Sequence, residues 1–145
     1  MDKIVFITGA SSGIGAGCAR KFASQGASLI LNARNVNKLS ALKEELEKQY
    51  GAKIYLLPFD VRDRKAATSA LESLPKEWQS IDILVNNAGL VIGTDKEQEG
   101  SLDEWDIVID TNIKALLAMT RLIVPGMVER KRGHIINIGS IALSL

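Results

Sequence analysis

The sequence predicts an α/β fold, a doubly wound parallel sheet with helices on both faces, on three observations. Five short apolar runs recur, at Ile4-Val5-Phe6-Ile7, Leu29 to Leu31, Ile54 to Leu57, Ile83 to Val85 and Ile135 to Ile138, with stretches of helical periodicity between them. The runs are apolar at consecutive positions, as in strands covered on both faces, and right-handed crossovers then fix the winding. The first run also opens directly onto "TGASSGIG" at Thr8 to Gly15, a strand that ends in a turn and starts a helix.

Each element has its own signal. Beyond Gly13 the apolar positions Ile14, Cys18, Phe22 and Ala23 fall at helical spacing. Leu39, Leu42, Leu46 and Tyr50 mark one face of a second helix, while Lys43/Glu47 and Glu44/Lys48 form four-apart pairs on its solvated side. Val61 to Leu74 is a third helix candidate ended by Pro75, and Ile113, Leu116, Leu117, Thr120 and Val124 give a longer apolar stripe further on, with Met119 and Met127 as core filler.

At 145 residues, 46% of them apolar, residues 1–145 suffice for one domain with a real core. Eighteen basic and seventeen acidic residues leave a net charge of +1, so no overall field recruits nucleic acid or an anionic membrane. Small molecules or protein surfaces are the expected partners. Cys18 is the lone cysteine, and no basic leader or long apolar stretch stands out, which makes the cytoplasm the expected compartment. With His134 the only histidine, a His/Cys metal site is excluded, and His134 is expected merely to flank a strand. A hydrolase nucleophile elbow at Ser140 fails because Ile138 stands where Gly is needed.

The small-residue loop has a chemical reading. Amides at a helix start lack partners within the helix and lie at the positive end of its dipole, so a glycine loop that lets an anion approach makes a phosphate cradle. In a doubly wound sheet the ligand sits beyond the carboxyl ends of the strands, where strand order reverses. The other strands end "LNARN", "LPFDV", "LVNNAG" and "INIGS", polar or small residues facing that same crevice.

Together these motifs resemble the short-chain dehydrogenase/reductase family, nearly end to end: "TGASSGIG", "DV" at Asp60–Val61, "NNAG" at Asn86–Gly89, Asn112, and "GHIINIGS" at Gly133–Ser140. The stretches "LPKEWQSIDILVNNAGL" and "PGMVERKRGHIINIGSIA" are also similar to its branch acting on 3-hydroxy acids and serine-like substrates. The resemblance implies a Rossmann-type sheet truncated after the fifth strand. It implies that Gly9, Ser11, Ser12, Gly13, Ile14 and Gly15 surround the coenzyme's adenosine and pyrophosphate, that Asp60 meets the adenine amino group with Val61 beside the ring, and that Asn87, Ala88 and Gly89 line the ribose. Asn86 is assigned to tying neighbouring strands together.

The choice between NAD and NADP has a physical basis at the end of the second strand. A carboxylate there accepts from the ribose hydroxyls and repels a 2′-phosphate. Here Ala33 stands in the acid's place, followed by Arg34, a forked donor for phosphate, and Asn35, a second donor. A charge-assisted contact is worth roughly 1.5–3 kcal/mol, about ten- to a hundredfold in affinity, so NADP is the expected cofactor. Arg34 as an ordinary exposed loop residue is the alternative.

By the same resemblance, Ser140 contacts the substrate oxygen and Asn112 organises a proton relay, as donors placed where charge develops. The family's acid/base Tyr-x-x-x-Lys falls about a dozen residues beyond that serine, whereas this chain ends at Leu145 and its tyrosines, Tyr50 and Tyr55, lie far upstream. The family commonly has Gly where Leu143 stands. No turnover is therefore expected from the 145 residues alone. Ile135, Ile136 and Ile138 are expected on an open sheet edge that invites association. Three readings follow: an NADP-dependent oxidoreductase for a small hydroxy or carbonyl substrate, a catalytically inactive nucleotide-binding module, or a structural relic. The first is preferred, with a homo-oligomer, dimer or tetramer, expected from the resemblance.

Overall fold

The computed structural model describes residues 2–11, 13–87 and 102–138. Its strands β1 (Ile4–Ile7), β2 (Ser28–Leu31), β3 (Ile54–Leu56), β4 (Ile83–Asn86) and β5 (His134–Asn137) form one sheet in the order β3-β2-β1-β4-β5. All four pairings are parallel, with Val5 opposite both Leu29 and Ile83. The helices are α1 (Gly13–Ser24), α2 (Val36–Tyr50), α3 (Arg64–Glu72), α4 (Leu102–Ile109) and α5 (Ala115–Arg130), with a 3₁₀ turn at Lys76–Trp78 and a π-helical turn at Asp110–Lys114.

Alternation along the strands sorts the core into two layers. Val5, Ile7, Leu29, Leu31, Ile83 and Val85 face α1 and α2, meeting Ala16, Ala19, Ala23, Leu39, Leu42 and Leu46. Phe6, Ile30 and Leu84 point to the other face, against Ala67, Trp78, Met119, Ile123 and Met127. Consecutive apolar residues are thus required because both faces are covered. The amino ends of the strands are pinned by Asp82, 8% exposed. Its Oδ2 accepts from the Ile4 amide at 2.9 Å and its Oδ1 pairs with Arg132 Nε at 2.8 Å.

Several sequence expectations shift. The third helix begins at Arg64 rather than Val61, because Asp60 Oδ1 accepts from the Arg62 amide in a turn and Asp63 caps the helix through the Ala66 amide. It ends at Glu72. The fifth strand is displaced by one residue, so His134 opens it, donating its amide to the Asp82 carbonyl. Leu39, Leu42 and Leu46 do form the buried face of α2, and Lys43–Glu47 pairs at 3.0 Å, but Tyr50 at the helix end is exposed. On α5 the buried side is Ala115, Met119, Ile123 and Met127, whereas Ile113 and Leu117 from the expected stripe face outward. Met119 and Met127 fill the core as expected. Ile135 and Ile136 are half-buried on β5, which lies at the sheet's edge among the described residues.

Candidate functional site

The sheet order places its reversal between β1 and β4, and the carboxyl ends of all five strands open on one side. There the loop after β1 is shaped by two left-handed glycines, Gly9 (φ 61°) and Gly13 (φ 57°), a conformation that side chains with a Cβ rarely adopt. Gly15, in the first turn of α1, has no room for a side chain: a Cβ there would strike the Gly9 carbonyl and the Asn87 amide group. Helix start and loop are therefore in backbone contact, with the Asn87 side chain from the β4 exit packed against both, the packing that lets amides face an anion.

Hydrogen bonds lock this frame. The Thr8 amide donates to the Val85 carbonyl at 3.1 Å, and Thr8 Oγ1 accepts from the Asn87 amide at 2.9 Å. Asn87 Nδ2 donates to the Gly9 carbonyl at 3.0 Å, so its side chain braces the loop from the β4 side. Asn86 does what was expected of it: Nδ2 donates to Asn137 Oδ1 at 3.0 Å and to Thr120 Oγ1 at 3.3 Å, tying β4 to β5 and α5.

Asn32, one residue past β2 and 1% exposed, is a brace the sequence reading missed. Its Nδ2 donates to the Leu57 and Phe59 carbonyls, both at 3.1 Å, and its own carbonyl accepts from the Ala10 amide at 2.8 Å. One buried residue thus holds the glycine loop, through its backbone carbonyl, and the segment leading to Asp60, through its side-chain amide, in a fixed relation. The only signal was a polar residue directly after an apolar run.

At the far end of the crevice Ala33 is buried and Arg34 exposed. Arg34 makes no hydrogen bond or ion pair among the described residues, which leaves its guanidinium available to a ligand. Asn35 caps α2, its Oδ1 accepting from the Lys38 amide at 3.1 Å, so the Nδ2 group is the one left to donate outward. Asp60 pairs with Arg62, Nη2 to Oδ2 at 2.8 Å. Hydrogen bonds from Arg62 hold the Asp60 carboxyl below its ordinary range, and the Arg34 charge adds to the effect. Val61 is buried beside it, and Ile14 is 57% exposed at the start of α1, an apolar side chain turned to the open side rather than into the core.

Asn112 lies in the π-helical turn between α4 and α5 and is half-buried, rather than inside a regular helix. Such wide turns are frequent at functional positions because they redirect side chains. Ser11 is half-buried in the loop. Ser12, Ala88, Gly89 and Ser140 lie outside the described residues. Among the described residues no cluster of three potential metal ligands forms, and no helix is long and apolar enough to cross a membrane.

A parallel sheet wound in this order, with a glycine-rich turn at its reversal and a basic residue after the second strand, is a doubly wound α/β fold of the Rossmann type. Residues 3–144 match the family described as short chain dehydrogenase, and the chain belongs to that family. It is 49% identical over 139 residues to the NADP-dependent 3-hydroxy acid dehydrogenase of Escherichia coli strain K12, covering 96% of this chain and 54% of that protein. It is 42% identical to sulfoacetaldehyde reductase 2 of Chromohalobacter salexigens, over 98% of this chain and 56% of that one. The crystal structure of serine dehydrogenase from Escherichia coli superposes with a TM-score of 0.85 at 49% identity, over 94% of this chain and 62% of that one. The closed form of serine dehydrogenase complexed with NADP+ gives 0.83 at 47% identity, over 96% and 54%. The chain spans about half the length of the curated relatives it matches.

Proposed function

We propose that the chain is the coenzyme-binding part of an NADP-dependent oxidoreductase that transfers hydride between NADP(H) and a small hydroxy or carbonyl compound, a 3-hydroxy acid being the favoured class. The observation that carries the reading is the end of β2, where buried Ala33 stands in place of the carboxylate that would repel a 2′-phosphate and exposed Arg34 offers a guanidinium with no hydrogen bond or ion pair among the described residues. The glycine cradle and the α1 amino terminus would take the pyrophosphate, Asp60 the adenine amino group, and Asn87, Ala88 and Gly89 the ribose. When bound, the coenzyme supplies the hydride. This chain's residues orient it, with Asn112 assigned to the proton relay and Ser140 to the substrate oxygen. The substrate class is supported by the names of the dehydrogenases that the chain resembles.

A second reading, a binding module without turnover, has its own observation. Tyr50 ends α2, and Tyr55 packs against Trp78 with ring centroids 5.7 Å apart. Neither tyrosine stands at the crevice as an acid/base, which supports a binding role for these residues. We place the protein in the cytoplasm and expect it to assemble through outward apolar residues such as Ile113, Leu117 and Val128. The test is a coenzyme titration: Arg34→Ala is expected to weaken NADPH binding about ten- to a hundredfold and leave NADH little changed. Equal or tighter binding of NADH by the unaltered protein refutes the assignment.

A further inference from the structure

Arg62 has no part in the reading above, yet it dominates the surroundings of Asp60. Its backbone amide donates to Asp60 Oδ1 at 2.9 Å. Its Nε lies 3.2 Å from both carboxylate oxygens, and its Nη2 donates to Oδ2 at 2.8 Å. The fork is therefore spent on one carboxylate, two residues away along the chain, where closing the contact orders little additional backbone.

The consequence lies with Arg34. Its charge contributes to lowering the Asp60 carboxyl, yet Arg34 forms no ion pair among the described residues, while Arg62 occupies both Asp60 carboxylate oxygens. Without Arg62, the Asp60 carboxylate would be the nearby anion for Arg34 to pair with. It would also present an unbalanced negative charge beside the place where a 2′-phosphate must sit, an effect of the same kind as the acid that Ala33 replaces. We infer that Arg62 is a positioning residue for coenzyme choice, holding and neutralising the Asp60 carboxylate so that the Arg34 guanidinium stays available to the 2′-phosphate. This rests on the proposed NADP preference and adds a second cation to it, one that acts through Asp60 and touches no phosphate.

Dissociation constants for NADPH and NADH, measured by fluorescence or calorimetric titration, test it without any turnover. The quantity to read is the ratio of the two affinities, since loss of the adenine contact at Asp60 affects both coenzymes alike. Arg62→Ala is expected to lower the NADPH preference about two- to fivefold, the range set by the strength of an exposed ion pair. Arg62→Gln, which keeps much of the side chain and removes the charge, carries the same expectation should the alanine variant fold poorly. Asp60→Asn combined with Arg62→Ala is expected to restore the preference, an outcome that general structural damage does not produce. An unchanged ratio in the Arg62 variants overturns the inference. So does a ratio that falls and is not restored by Asp60→Asn, which would mean that Arg62 meets the phosphate itself. Failure of the NADP reading is separate: there Arg34→Ala leaves the ratio where it was.

Discussion

Replacing Asn32 by leucine removes two donors from the interior at nearly constant volume, so the loss is one of hydrogen bonding rather than packing. The Leu57 carbonyl would be left unpaired in a buried setting, and the Phe59 carbonyl in a part-buried one. An unsatisfied buried group costs about 1–3 kcal/mol, with the part-buried carbonyl at the low end because water can reach it. The sum is about 2–4 kcal/mol, and for a chain of this size each kcal/mol lowers Tm by about 2–4 °C, giving a fall of roughly 5–15 °C. Thermal unfolding followed by circular dichroism measures it, with a urea midpoint as the check against irreversible melting. Because the same amide holds the segment before Asp60, coenzyme affinity should fall as well. A variant that melts within about 2 °C of the parent would refute the reasoning, since the cost of two orphaned carbonyls could not be hidden at that level.

Gly15→Ala should lower NADPH affinity by more than about tenfold, because the added methyl displaces the Gly9 carbonyl and the Asn87 side chain that shape the cradle; titration decides it. Met119→Ala is expected to cost about 2–5 kcal/mol by urea unfolding, whereas Leu117→Ala, on the outward side of α5, should stay within about 0.5 kcal/mol. Acid unfolding should distinguish the parent from Asp60→Asn. Arg62 lowers the folded-state pKa of Asp60, so the carboxylate's contribution is fully present above its ordinary value and is lost as pH falls through the lowered one. The stability gap between the two proteins should hold constant at neutral pH and close only at strongly acid pH.

Most of the fold could be read from the chain because its signals are local. A strand covered on both faces must be apolar throughout, so Ile4 to Ile7 and Ile83 to Val85 announced themselves. The second face of α5 could not be read in the same way. Apolar residues run along more than one side of that helix, at Met119, Ile123 and Met127 and again at Leu117 and Val128, continuing back to Ile113 in the preceding π-helical turn, and periodicity does not say which side meets the sheet. The turn in the glycine loop was readable since a left-handed backbone favours that residue type. Asn32 was not, for its partners Leu57 and Phe59 lie 25 and 27 residues away. Arg62 escaped for a different reason: its pairing is local, but exposed Asp/Arg pairs are common and seldom matter.

The clamp at Asp82 bears on how the chain comes to be folded during synthesis. β1 gains its β2 neighbour early, but its other neighbour, β4, and the carboxylate that secures the Ile4 amide lie 78 residues downstream. Until the ribosome has delivered that stretch, one flank of the central strand stands bare, with the polypeptide dependent on pairing at long range. Slow translation before Ile83 would prolong that exposure, and a chaperone that shields short apolar segments would find its client there.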